Sequence, residues 1–300
     1  MIRYLYLSAI FFSSVVFIFQ SEALKLSQYI TSENYNIDID WNRYNLNIKG
    51  FIPMDEEMVG LERKQLRTNT KEKILSQATS FFEDFNVDSD NKIRDLLKVN
   101  RTFSMGDSLF LEDLRISSLF FKHNGIETNM SIPLRGERGL LKRIPLPWGE
   151  EEYNILKEEQ YIGEGYSQKK ANGEFFRSLA PVNYSGLLVN ASDLNVKKAL
   201  APRIYSQDGR LIYGPEFISR VAGTQRGIVS YVSSFNDREV LNRLGKNYLL
   251  TSALATRGKF RTDLVISLED TARLFDSSIS ATNLLKCRVV ILTSAGSANP

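Results

Sequence analysis

Polar and apolar residues alternate with a period of two over Asn36-Ile37-Asp38-Ile39-Asp40-Trp41 and again over Tyr44-Asn45-Leu46-Asn47-Ile48. Such alternation predicts two strands with one buried face, joined through Asn42-Arg43 as a hairpin and ended by Gly50 and Pro53. From Asp55 to Phe85 the pattern changes to a helical one. Ile74, Ala78, Phe81, Phe82 and Phe85 fall on one face, which should pack on the hairpin. Asp55 is the expected N-cap, with Glu56 and Glu57 in the first turn at the positive end of the dipole. A short helix is expected from its cap Asp90 through Leu97. Leu111–Phe121 and the strand Ile126–Leu134 meet at Asn124-Gly125, a strong hairpin-turn dipeptide. The first unit, 36–142, therefore reads β-β-α-α-β-β, preceded by a loose polar stretch over residues 24–35.

Residues 143–175 read as a connector. Pro145, Pro147, Trp148 and Gly149 open it, and the run from Glu150 to Glu159 holds five glutamates, the signature of a solvated face. Gly163-Glu164-Gly165 lacks the Gly-Lys-Ser/Thr of a phosphate loop. The second unit, 176–295, alternates short strands with short helices. Strands are expected over Tyr184–Val189, Ala201–Tyr205, Leu211–Tyr213, Gly227–Ser233, Tyr248–Thr256, Thr262–Ser267 and Arg288–Leu292. Gln207-Asp208-Gly209-Arg210 is a hairpin turn. A helix from Asp237 to Leu244 is expected behind the cap Asn236, and another from Ser267 through Phe275 with Asp270 at its third position. Strands outnumber helices, so the fold class is α+β, with two α+β units and a mixed sheet in the second.

The most apolar stretch lies at the start. Arg3 is followed by an apolar run from Leu5 to Phe19 and then by Ser21-Glu22-Ala23. A basic start, a short greasy core and small residues at a cleavage point describe a signal peptide over residues 1–23. The run is shorter than the ~20 residues that span a bilayer as a helix. Leu24 stands where a lipid anchor would need a cysteine. The expectation is an exported protein, periplasmic or outer-membrane-associated, with no integral membrane span after cleavage.

Composition supports a globular body: 43% of residues are hydrophobic and 24% charged, with a net charge of +3 that loss of Arg3 and Glu22 together leaves unchanged. Charges of both signs are interspersed, which disfavours a nucleic-acid partner. The one cysteine, Cys287, sits in the apolar run Leu284–Leu292 and reads as a buried strand residue, so no internal disulfide is available. The one histidine, His123, precedes the Asn124-Gly125 turn. One His and one Cys do not furnish a His/Cys zinc site, and a nucleophilic triad would depend on that turn-adjacent imidazole. No cofactor or metal is expected.

Two carboxylate pairs bear on hydrolysis. Asp38 with Asp40, and Glu269 with Asp270, would need to face one cleft at roughly 5–9.5 Å for glycosidic chemistry. Cap and strand-edge roles account for all four. Asn-x-Ser/Thr triplets at Asn100, Asn129, Asn183 and Asn190 matter only in a glycosylating secretory route.

Tyr184-Ser185-Gly186-Leu187-Leu188-Val189, then Ala199-Leu200-Ala201-Pro202-Arg203, then Asp208-Gly209-Arg210-Leu211-Ile212-Tyr213-Gly214 form a more distinctive series. Thr262–Ser267 and Leu285–Ile291 extend it, with weaker support from Val87-Asp88-Ser89 and Ile132-Pro133-Leu134. The series resembles exported bacterial proteins of the twenty-kilodalton lipoprotein family, which include flagellar outer-membrane and ring-assembly proteins. The long helix departs from that pattern, carrying Lys, Thr and Gln where the family has Ala and Arg. The resemblance implies a non-enzymatic, lipoprotein-like envelope protein with a structural or flagellar-assembly role, whose partners are other envelope proteins, flagellar or outer-membrane components among them. Arg203, Asp208 and Arg210 are the residues of this series with charge to offer a partner. The alternatives are a cell-wall or small-ligand binding module built on the plentiful Tyr and Phe, and a carboxylate-dependent periplasmic hydrolase.

Overall fold

The alternation of residues 36–48 folds into a sheet with one apolar face. The computed structural model describes residues 27–31, 35–54, 58–99, 115–122, 124–149 and 181–294. Met1–Ala23, the acidic residues 55–57, Asn100, His123, the glutamate run from residue 150 and Gly163-Glu164-Gly165 lie outside them, as do the side chains of Ala78, Phe81 and Phe82. Strands β2 (Tyr35–Asp40) and β3 (Asn45–Pro53) pair antiparallel, Ile37 opposite Ile48 and Ile39 opposite Leu46. Asp40 Oδ1 accepts the N–H groups of Asn42 and Arg43, both at 3.0 Å, and closes the four-residue turn. The strand does not stop at Gly50 but runs to Pro53, because Gly50 fits under Ile74, where a Cβ would collide with that side chain.

Residues 27–31, expected to be loose, form strand β1 (Ser27–Thr31) on the outer side of β2. The helix α1 spans Arg63–Glu83 and starts later than the sequence suggests. Gly60 has φ +89°, a left-handed turn that a helix cannot pass through. Leu66, Thr70 and Ile74, four residues apart, are buried along α1. Helix α2 (Ile93–Val99) is capped not by Asp90 but from inside: Asp95 accepts the N–H of Lys92 at 2.9 Å. Strands β4 (Arg115–Lys122) and β5 (Gly125–Pro133) form the expected hairpin, and β5 inserts beside β3 to give the order β1-β2-β3-β5-β4. A short helix, α3 (Leu140–Arg143), follows. The first unit thus has a strand beyond β-β-α-α-β-β.

The second unit holds two four-stranded sheets. One is all parallel, with β6 (Leu187–Asn190), β9 (Ser230–Val232), β10 (Leu249–Ser252) and β13 (Val289–Leu292) in the order β10-β6-β13-β9. All four β13 residues are buried, as in a strand covered on both faces. The other sheet is mixed and runs β11-β12-β7-β8, from β7 (Ile204–Ser206), β8 (Leu211–Tyr213), β11 (Ala255–Arg257) and β12 (Asp263–Ile266). Tyr248–Thr256, expected as one strand, is split between these sheets at Ala253-Leu254.

Among the described residues, a 3-10 turn (Pro215–Phe217) and four α-helices complete the unit: α4 (Arg220–Arg226), α5 (Arg238–Leu244), α6 (Leu268–Phe275) and α7 (Ser278–Leu285). The sequence reading missed α4 and α7, whose seven and eight residues carry little periodicity. The cap of α5 is Asp237, not Asn236; its carboxylate accepts the Glu239 N–H at 2.9 Å. Ser267 caps α6 as expected, accepting the Asp270 N–H at 3.0 Å. Cys287 is buried but precedes β13 in a left-handed conformation, φ +57°, and is not part of a strand.

The two units share one continuous core. Trp41, in the β2–β3 turn, lies edge-on to Tyr231 of β9, ring centroids 5.2 Å apart. Ala201 donates its N–H to the Val87 carbonyl at 2.7 Å, and Gly136 donates to Thr224 at 2.6 Å. Trp148, at the start of the expected connector, packs against Gly223 of α4. No helix among the described residues is long and apolar enough to cross a membrane.

Candidate functional site

The β7–β8 hairpin carries the three residues singled out from sequence, and it divides them. Gly209, φ +88°, makes the turn that Asp208-Gly209 predicts. At the tip Asp208 and Arg210 pair with each other, Nε to Oδ2 at 3.0 Å, and the Ser206 hydroxyl also donates to Asp208. Partial burial works to raise the Asp208 pKa, but these hydrogen bonds outweigh it and hold the carboxyl at about 2. Arg203, the residue just before β7, is largely buried and faces inward.

Arg203 joins three stretches of chain. Its Nη1 donates to Asp88 Oδ2 at 3.0 Å and its Nε to Glu216 Oε1 at 2.7 Å, while its backbone N–H donates to Asp263 Oδ1 at 3.0 Å. Asp88 is held in place by its own loop, where Oδ1 accepts the N–H groups of Asp90 and Asn91 at 2.9 and 2.8 Å. Ser89 lies alongside, donating to the Arg257 carbonyl and accepting the N–H groups of Thr262 and Asp263 at 3.3 Å. Burial alone would lower the Arg203 pKa; Glu216 and Asp88 more than reverse that, so the guanidinium stays charged. Three carboxylates face one cation. Asp263, 2% exposed, meets the consequence: burial pushes its carboxyl up to about 7, against the opposing pull of Arg203. Asp88, Glu216 and Asp263 escaped sequence reasoning as partners of Arg203. The available signal was Val87-Asp88-Ser89 and Thr262-Asp263, both inside the segments that carried the resemblance.

A second buried cation, Arg243 of α5, was not anticipated. Its Nε donates to the Cys287 carbonyl at 2.7 Å, Nη1 to the Arg226 carbonyl at 2.9 Å and to Ser230 Oγ at 2.8 Å, and Nη2 to the Gly227 and Ile228 carbonyls at 2.6 and 3.1 Å. The five-donor fork of arginine suits this convergence of carbonyls. Burial raises the Cys287 thiol to about 11, with Arg243 pulling the other way, so the thiol is protonated at neutral pH. Tyr44 reaches the same region from the first unit, with the Arg135 guanidinium 4.5 Å from its ring.

The expected carboxylate pairs are occupied separately. Asp40 closes its turn, and Asp38 accepts from Asn47 at 3.5 Å. Asp270 accepts from Thr251 Oγ1 at 2.7 Å and Ser267 Oγ at 3.0 Å and pairs with Arg273 at 3.1 Å. Glu269 is exposed to solvent beside it. Asn129 of β5 donates to Ser118 of the neighbouring β4, and Asn190 at the end of β6 accepts from Ser192 in the loop that follows. Among the described residues no group of three or more His, Cys, Asp or Glu side chains is arranged to hold a metal ion.

Chemically, the Arg203 and Arg243 networks fix loops against one another, and burial brings the Asp263 carboxyl into the neutral range. Arg203, Arg243 and Asp263, though not Asp88, lie in a stretch that a known family model matches. No curated protein matches the chain. Residues 186–295, from the residue before β6 to just past β13 and including both sheets of the second unit, are similar to a family model described as the second domain of Treponema pallidum Tp0624.

Proposed function

We propose that this protein is an exported, non-enzymatic component of a bacterial envelope, periplasmic or outer-membrane-associated, with a structural or assembly role exercised through contact with other envelope proteins. The observation that carries the reading is the engagement of its polar side chains. The buried arginines and the carboxylates around them are tied to backbone groups and to one another, as Arg203 is to Asp88 and Glu216 and Arg243 is to four carbonyls. The greasy segment ahead of Ala23 supports export. The likeness of residues 186–295 to a domain of a Treponema pallidum protein supports a bacterial setting.

Fractionation of cells carrying a tagged copy, followed by crosslinking, tests this. The expected result is a chain shortened by its leader in the envelope fraction, crosslinked to envelope proteins. A full-length chain in the cytosol would overturn it. The flagellar form of the proposal expects a deletion strain to swim poorly, and normal swimming removes that form. Retention on isolated peptidoglycan would favour a cell-wall binding module instead.

A further inference from the structure

The tip made by β11 and the turn after it presents cations that no described carboxylate neutralises. Residues 253–262 include Arg257, Lys259 and Arg261 and no Asp or Glu. All three are exposed. Among the described residues, none has a carboxylate within ion-pairing distance, because those nearby are taken. Asp208 pairs with Arg210, Asp88 and Glu216 pair with Arg203, and Asp84 pairs with Lys92 and Arg94. Asp263 is buried beneath the turn, which leaves Asp90, beside Ser89, as an exposed opposing charge.

Aromatic rings interleave with these cations. The Arg257 guanidinium lies 4.1 Å from the Tyr205 ring centroid, and the ammonium groups of Lys259 and Lys92 lie 4.9 and 5.3 Å from that of Phe260. Leu254, just before β11, exposes 51% of its surface.

The backbone of the tip is pinned from behind. Phe260 donates its N–H to the Ser89 carbonyl at 2.8 Å, Arg261 donates to Gly258 at 3.2 Å, and Arg261 Nε reaches Thr256 Oγ1 at 3.2 Å. Arg261 has φ +55°, a conformation in which glycine or asparagine is at ease and a long side chain is not. The fold carries a cation at this point in spite of its backbone. Arg257, Gly258 and Lys259 are exposed one after another, and Gly258 seats the turn on Ser89, so the charges lie along an open surface and not around a cradle for one small anion. The geometry calls for an extended negative surface.

We infer that this tip docks the protein on the headgroup surface of an anionic phospholipid bilayer. The choice of a bilayer as the extended anion rests on the proposed envelope setting. Lys and Arg make the contact by charge, with the half-buried Phe260 ring between them.

The test is vesicle co-sedimentation of the full chain, with phosphatidylcholine alone and with phosphatidylcholine mixed with phosphatidylglycerol. The greasy leader and the charges elsewhere contribute equally to parent and tip variant, so the difference between the two in binding gained on adding phosphatidylglycerol reports on the tip. That gain should disappear at high salt. The double variant Lys259→Ala/Arg261→Gly, which also relieves the backbone at residue 261, should reduce the gain about 25-fold, at about fivefold per charge. Its melting temperature should be no lower than that of the unmodified chain. The control Arg238→Ala/Lys246→Ala removes two exposed charges elsewhere and should bind as the parent does. Equal binding to both vesicles, or a double variant that binds like the control, overturns the inference. Binding to inorganic polyphosphate without binding to vesicles also overturns it, in favour of a soluble polyanion. A chain that fractionates with the envelope but ignores the anionic vesicles loses this inference and leaves the proposed function standing.

Discussion

Arg203 Nη1 and Asp88 Oδ2 meet at 3.0 Å across the junction of the two units, with side chains 14% and 5% exposed. The pair is desolvated, bonded on both sides and 115 residues apart in sequence. It therefore couples the loop after α1 to the start of β7.

Removing one member of such a pair leaves the other buried and uncompensated. Arg203→Leu should cost about 3–5 kcal/mol of unfolding free energy. Arg210→Ala, which breaks a solvent-screened pair at the hairpin tip, should cost about 0–1 kcal/mol. Urea denaturation of the two variants checks the contrast.

Asp263 makes stability depend on pH in a definite direction. Its carboxyl titrates at about 7 in the fold against 3.8 as the ordinary value. The fold holds a proton there that the unfolded chain releases, so the contribution is fully present below the ordinary value and is lost as pH rises through about 7. A rise from the ordinary value to about 7 corresponds to about 4 kcal/mol. Asp263→Asn should flatten the stability profile between pH 4 and 7 relative to the parent. A parent profile with no such fall, or a variant that keeps the fall, would remove Asp263 as its source. Asp208, held at about 2, works oppositely and only in acid, losing its contribution as pH drops below the ordinary carboxyl range.

Gly50 is a steric requirement. Any Cβ there meets Ile74, so Gly50→Ala should destabilise by about 1–3 kcal/mol, and pairing it with Ile74→Val should recover part of the loss. A thermal melt of the single and double variants reads this directly.

Arg243 satisfies four backbone carbonyls at once. Arg243→Met keeps much of the volume and removes every donor, and should cost at least about 3 kcal/mol. Arg243→Lys should recover little of it, since one ammonium cannot reach carbonyls spread across the fork.

The parts of the fold legible in sequence are those with a strong local signal. The β2–β3 hairpin announces itself through alternation, the β4–β5 and β7–β8 turns through Asn124-Gly125 and Asp208-Gly209, and α6 through Ser267. What was hidden depends on partners distant in sequence. β1 carries no alternation of its own and becomes a strand only because β2 offers it an edge. Ala253-Leu254 breaks an apparent single strand because β10 and β11 belong to different sheets. The late start of α1 was readable in Gly60 and was outweighed by the acidic residues before it. At the candidate site, Arg203 stood out by charge, but its direction did not: only the arrival of Asp88 and Glu216 from other segments turns it inward. Arg243 looked like one more polar position on a short helix, because nothing local reveals that four carbonyls converge on it.

Trp41 against Tyr231 has a consequence for how this chain can be divided. The stretch with a recognised relative, cut out at residue 186, would carry Tyr231 without the indole that shields it and the Ala201 amide without the Val87 oxygen that receives it. Such a fragment would be sticky and prone to clump, because the polypeptide ahead of residue 186 covers the surface that the cut would bare.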